Sequence, residues 1–396
     1  MTDTSEAPTS ETRSNQTHAT HAWGLLPTEP VGSMPRTLRL QQAVLQTEAW
    51  LLGADELAAE QEAAVRDTLD RLAETGSPIV SDGEQRRSSF ATYPLGRGDA
   101  ESGPVFAVFA DGHHRVLPRL VRAPFRFQRW AADDVLAARR LTGLPLKQAV
   151  ISPSMLSLML PDEGIGEYTR DELLEDVVAG CAEDIARCFS AGAARVSIDF
   201  TEGRLALRRD LRAPWAGPAA LRGFIELVNR VLDRVDPGLR DRIGVHTCPG
   251  NDRDSAHSDD VDYAALIPEL LQIEAGYFLV QAASERDPLR VARLIGDELA
   301  SRGSAGRLPR ILIGVTDPRS PKLETAEEVR DGLLAAARFI PAERLGSTDD
   351  CGFSPYLVDE KPRHGSPDFA RDVAFAKVAA RVRGTALAAE ALGAGS

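Results

Sequence analysis

Eight short runs rich in apolar and β-branched residues recur along this chain, separated by helix-length amphipathic stretches, and this alternation constrains the fold more than any other feature. The runs are TEPVGSMPR, PIVSDGEQRR, LKQAVISPSML, ARVSIDFTEG, DRIGVHTCPG, AGYFLVQAASE, PRILIGVTDPR and ERLGSTDDCGFSP. Strands that alternate with helices form a parallel sheet with the helices packed outside it. Eight repeats predict a closed α/β fold, a (β/α)8 TIM barrel, in one domain over 23–396; an open doubly wound sheet is the alternative. No G-x-G-x-x-G or P-loop pattern opens any of the helices, which argues against a nucleotide-binding version of the open sheet. Residues 1–22 are rich in Thr, Ser, Glu and Asn without an apolar period and read as a disordered tail.

The chain has 396 residues, 43% of them hydrophobic, enough to fill a large core. A net charge of −13 excludes the basic footprint of a nucleic-acid binder and disfavours an anionic membrane surface. No run approaches the roughly 18–20 apolar residues of a membrane span. The polar, acidic start lacks a signal-peptide pattern, so a cytoplasmic protein is expected. Four cysteines in such a chain read as thiols or metal ligands rather than as a disulfide framework. Cys181 and Cys188, seven apart on one face of a predicted helix, are expected in the core.

A barrel places its active site at the carboxyl ends of its strands, and the chemically unusual residues of this sequence fall there. Asp82 and Glu84 end the second run, Asp199 and Glu202 the fourth, His246 and Cys248 the fifth. Gln281 and Glu285 follow the sixth, Asp317 the seventh, and Asp349, Asp350 and Cys351 the eighth. His246 and Cys248 are two apart on a strand, so both side chains point the same way. A closed barrel can bring Cys351 to them. One imidazole and two thiolates suit Zn²⁺, and three protein ligands leave a fourth position open, as catalytic zinc requires.

Along residues 26–390 the chain resembles the catalytic domain of cobalamin-independent methionine synthase. The resemblance rests on VGSMPRT (31–37), DGEQRR (82–87), VSIDFTEG (196–203), VHTC (245–248), IGVTDPRSPKLETAEEV (313–329) and DDCGF (349–353). It implies a zinc-dependent methyltransferase that activates a thiol as a thiolate and methylates it. The thiol would be homocysteine, yielding methionine, and the donor 5-methyltetrahydrofolate or another methyl compound. His246, Cys248 and Cys351 match the family's zinc ligands. Glu84 and Asp199 match the acids that hold the amino group of homocysteine, and Ser33 lies in the turn that meets its carboxylate.

Two departures stand out. The family carries a glutamate ligand at the end of strand six, where this chain has Gln281, with Glu285 four residues on. Three protein ligands are expected, with Gln281 close to the substrate; ligation by Gln281 or Glu285 is the alternative. Full-length members carry a second, N-terminal barrel where this chain has a short tail, and this chain inserts PGNDRDSAHSDDVD (249–262) after the zinc pair. That insertion reads either as a solvated acidic loop or as pocket lining. Phe125, Phe127 and Trp130 could stack a pterin or simply pack, Lys147 and Gln148 could be polar site groups, and the His113–His114 pair reads as an exposed turn.

Three other functions compete. One is alkyl transfer to a different thiol, such as coenzyme M opening an epoxide. A second is a zinc-stabilised barrel without catalysis. A third, a uroporphyrinogen-type decarboxylase, leaves the His-Cys-Cys trio unexplained.

Overall fold

The computed structural model describes residues 23–49, 51–208, 215–303, 307–354 and 365–393. The expected tail, 1–22, lies outside the described residues. In chain order the strands are β1 (Ala100–Val108), β2 (His114–Leu120), β3 (Lys147–Ile151), β4 (Arg195–Asp199), β5 (Ile243–Thr247), β6 (Asn251–Asp252), β7 (Ser255–Ala256), β8 (Tyr277–Val280), β9 (Arg310–Gly314) and β10 (Leu345–Thr348). Six of them form one parallel sheet in the order β10-β9-β8-β5-β4-β3.

Two more staves flank this sheet, each joined by a single parallel bridge, Thr28 to Ser347 beside β10 and Val80 to Leu146 beside β3. They meet each other through Ser81 Oγ, which donates to Gly32 O at 2.6 Å, and Met34 N, which donates to Gly83 O at 3.1 Å. The eight expected runs therefore take the eight positions of a barrel. The outer two lack a ladder because TEPVGSMPR and PIVSDG are punctuated by proline and glycine, which supply no donor or no stiffness to a strand.

Charged side chains replace the ladder at the first stave. Arg195 donates to Glu29 at 2.6 Å, and Lys147 donates to Pro30 O at 2.7 Å and Val31 O at 2.5 Å. Arg381, from the helix Pro367–Gly393, bonds Thr28 at 2.6 Å and Asp349 at 3.0 Å. Lys147 thus starts β3 and holds the first stave; it does not face the site. A small apolar cluster of Val31, Tyr277, Leu279 and Leu312 shares the interior with these charges, edged by Trp23.

Every residue of β3, β4, β5, β8 and β10 is buried, because helices cover the outside while side chains fill the inside. The helix Pro218–Leu232 shows how the outer layer forms. It buries Leu221, Phe224, Ile225, Val228, Val231 and Leu232, a stripe at three- and four-residue spacing. The helix Arg170–Ser190 starts at a Thr169 cap and buries both Cys181 and Cys188 in the main core. Phe125 and Phe127 also lie in that core, with Trp130 packed on Phe127 at 5.1 Å between centroids. Among the described residues no helix is long and apolar enough to cross a membrane.

Candidate metal centre

His246 is the penultimate residue of β5, and Cys248 follows that strand directly; their exposures are 2% and 0%. Cys351 sits in the loop after β10. One ligand atom from each of the three lies within 4.8 Å of the other two, and the two sulfurs are 3.3 Å apart. Neither ring nitrogen of His246 has a hydrogen-bond partner, although both are buried. Buried polar atoms almost always find a partner, so an orphaned imidazole facing two sulfurs fits a site built for a soft divalent cation. The hydrogen bond from Cys248, and then the nearby His246, holds the Cys351 thiol well below its ordinary range. Cys248 is pushed up by the same bond. The pair thus favours one thiolate even before any cation arrives.

The loop carrying Cys351 is fixed on both sides. Asp349 accepts from Arg381 and from Thr316 Oγ1 at 2.8 Å. Asp350 points the other way and accepts from the amides of Ala282, Ala283 and Ser284 and from the Ser284 hydroxyl. Both Gly314 and Gly352 are required by close approach. A Cβ on Gly314 would lie 1.9 Å from Asp350 Oδ1, and one on Gly352 would lie 2.1 Å from Ser33 Oγ.

Beside the trio lies a cavity of about 60 Å³, open to solvent, whose wall includes Ser33, Glu84, Asp199, His246 and Cys351. Glu84 Oε2 and Asp199 Oδ1 are buried there without a partner. Burial pushes the Glu84 carboxyl up to about 8 and that of Asp199 up to about 6. Two desolvated, unpaired carboxyl oxygens form a natural seat for a cationic group. Ser33 also lines the cavity, its carbonyl accepting from Phe353 N at 3.0 Å and its hydroxyl from Ser354 N at 3.4 Å.

The other expected polar residues do different work. Gln281 is absent from the cavity wall; its amide donates to Ser284 Oγ at 2.7 Å and accepts from Arg204 at 3.4 Å. Glu285 accepts from the same Arg204 at 2.7 Å. Arg204, 1% exposed and lying 4.3 Å over the Tyr263 ring, also bonds Val261 O. Glu202 is held by the hydroxyls of Ser152 and Ser154. These groups brace the loops around the site.

Gly250, Asn251 and His257 of the insertion 249–262 line the cavity, whereas Asp259, Asp260 and Asp262 are exposed. Asp252, Asp254, His257 and Ser258 are all buried, and β6 and β7 turn through Arg253 and Asp254, both at positive φ. The β1–β2 hairpin lies over it. His113 Nε2 is 3.0 Å from Asp252 Oδ2, Arg115 bonds the same oxygen, and Ala110 N donates to Ala256 O at 3.0 Å. Of the expected exposed pair, His114 is exposed, whereas His113 is half-buried and stacked on Phe109 at 4.3 Å. Phe90, Phe106, Phe109 and His257 close the cavity from this side. Burial, and then Arg208 and Arg204, lower His257 to about 3, which keeps it neutral. The sequence held a signal for this roof, the Asp111–Gly112 pair between apolar runs in VFAVFADGHHRVLPRL, which is a hairpin turn.

No family model matches the chain. It is similar to enzymes named 5-methyltetrahydropteroyltriglutamate–homocysteine methyltransferase. The protein from Nitratidesulfovibrio vulgaris is 25% identical over 343 residues, 83% of this chain and 38% of that protein. That from Mycobacterium tuberculosis is 24% identical over 347 residues, 85% of this chain and 41% of that protein. The chain thus spans about two fifths of the length of these relatives. Among solved structures, a B12-independent methionine synthase from Shewanella sp. W3-18-1, in complex with selenomethionine, has a TM-score of 0.67. It is 22% identical and covers 94% of this chain and 100% of that one. A second, from Listeria monocytogenes and described as a putative vitamin-B12 independent methionine synthase, has a TM-score of 0.60 at 18% identity, covering 89% and 98% of the two chains. These likenesses establish the barrel fold.

Proposed function

We propose that this chain is a zinc-dependent thiol methyltransferase that converts homocysteine to methionine, acting in the cytoplasm as one barrel domain over 23–396. The observation that carries the reading is the pairing of His246, Cys248 and Cys351 with two unpartnered carboxyl oxygens in one cavity. The similarity to methionine synthases supports it.

Zn²⁺ held by His246, Cys248 and Cys351 would bind the substrate sulfur as a thiolate, the nucleophilic form that a free thiol of pKa about 8.5 rarely adopts at neutral pH. The chain's own residues set the rest. Glu84 and Asp199 receive the ammonium group, and binding that cation draws both carboxyls into their ionised form. Ser33, backed against Gly352, meets the carboxylate. Burial of the trio excludes water from the sulfur and strengthens each of these contacts. Gln281, bonded to Ser284 and Arg204, holds the adjoining loop in place.

Coenzyme M fits less well. Its sulfonate needs a cation, and the arginine that lines the described cavity, Arg115, bonds the buried Asp252.

Calorimetric titration of the zinc-loaded protein with homocysteine and with coenzyme M tests the proposal. Homocysteine binds with one zinc per chain and releases protons. Cys351→Ser removes both the zinc and the binding, and retention of either would reject the ligand assignment.

A further inference from the structure

Beyond the thiol, the same cavity has an end that the homocysteine contacts do not use. There Phe90, Phe106, Phe109 and the ring of His257 form the wall. The rings are set by packing. Phe106 stacks on Trp215 at 6.0 Å between centroids, and Phe109 lies between His113 at 4.3 Å and His257 at 5.4 Å. A Cβ on Gly250 would fall 1.9 Å from His257 Nε2, so the glycine is what admits this ring.

Two acids, Glu84 and Asp199, and one arginine, Arg115, line the cavity, with Arg36 and Arg87 near enough to Glu84 to act on it. Glu84 and Asp199 both present an unpartnered buried oxygen, whereas the ammonium group of homocysteine can neutralise only one of them. Arg115 is directed to Asp252, whose side chain is fully buried. Aromatic faces attract cations by roughly 0.5–1 kcal/mol at exposed sites and about 2 kcal/mol where water is excluded. An anionic donor would meet two carboxyls and an arginine already engaged.

We propose, resting on the methyl-transfer reading above, that the methyl donor of this site is a small onium compound, a sulfonium or a quaternary ammonium. The reaction balances without another reactant. The thiolate sulfur supplies the electron pair of the new C–S bond. The bond between the methyl carbon and the onium atom breaks, and its pair stays on that atom. The leaving group departs as a neutral sulfide or tertiary amine, and no proton, oxidant or reductant is consumed. A tertiary-amine methyl donor, by contrast, must be protonated as it leaves.

The test uses the full chain loaded with zinc and saturated with homocysteine. S-methylmethionine, glycine betaine and 5-methyltetrahydrofolate, each carrying a trideuterated methyl group, are supplied separately, and labelled methionine is read by mass spectrometry. Label from S-methylmethionine or from betaine is expected, and the two arms distinguish sulfonium from ammonium. A second arm compares choline with its neutral carbon isostere, 3,3-dimethylbutan-1-ol, as competitors. Choline should bind about tenfold more tightly, the ratio that about 1.4 kcal/mol of cation–π attraction gives. Phe106→Leu with Phe109→Leu should bring that ratio towards one, with homocysteine titration reporting that the thiol end is formed. Label from the folate alone, equal binding of choline and its isostere, or homocysteine binding without transfer from either onium compound overturns the inference and leaves thiol activation standing. Failure of homocysteine to bind at all overturns the parent reading instead.

Discussion

The Asp350 carboxylate accepts a 2.6 Å hydrogen bond from the Ser284 hydroxyl, joining the residue before Cys351 to the loop after β8. Three backbone amides of that loop bond the same carboxylate. Asp350 therefore sets where Cys351 stands. Asp350→Ala leaves the buried Ala282 amide and the half-buried Ala283 and Ser284 donors without this partner, which should cost about 1–3 kcal/mol. Urea unfolding of the zinc-free protein would measure the cost. Zinc affinity should fall in the same variant, and unchanged affinity would show that Cys351 is placed by other contacts.

Gly352 makes a sharper probe of the substrate end. An added methyl group would meet Ser33 Oγ at 2.1 Å and displace it from the cavity. Gly352→Ala should weaken homocysteine about tenfold, the effect of losing one hydrogen bond to a charged group. Zinc content should stay at one per chain. Titration calorimetry and metal analysis on one sample separate the two.

On the proposed function, Glu84 and Asp199 should give homocysteine binding a pH signature. Burial raises them to about 8 and about 6, so the free site is partly protonated near neutrality. An ammonium ligand favours the ionised forms and expels those protons. Affinity should rise as pH increases from about 6 to 8, and proton release, read in buffers of different ionisation enthalpy, should exceed what the thiol alone supplies. Glu84→Gln should remove the Glu84 share and weaken binding.

His257 carries a pH signature of its own, in stability. Its folded value is lowered to about 3, below the ordinary value of 6.5 that it regains on unfolding. The unfolded chain thus binds the extra proton, and stability present above about pH 6.5 is lost as pH falls towards 3. His257→Gln should flatten this acid limb in chemical denaturation. An unchanged limb would place the acid sensitivity elsewhere.

The barrel and the trio were legible because each follows from a short-range rule. Alternating β and helical patterns fixed the eight staves, and the two-residue spacing of His246 and Cys248 put both on one face. The side-chain tethers of the first stave were not legible, since nothing in TEPVGSMPR says that Arg195, Lys147 and Arg381 will hold it. The roof was hidden for a related reason. Its buried Asp252 looks solvated in sequence, and the partners that allow its burial, His113 and Arg115, come from the distant β1–β2 hairpin. Gln281 shows the limit from the other side. Its place after β8 was readable, but its engagement by Arg204 depends on a group from a distant segment.

The separation of Cys248 from Cys351 by 103 residues also fixes an order of assembly. Two of the donors are present once β5 is synthesised, yet the third arrives only after β8, β9 and β10 have emerged and docked. A ribosome-bound chain cut off before that point holds a bidentate fragment and no cage. A cation held by all three residues would be captured only once the end of the barrel has docked against its middle.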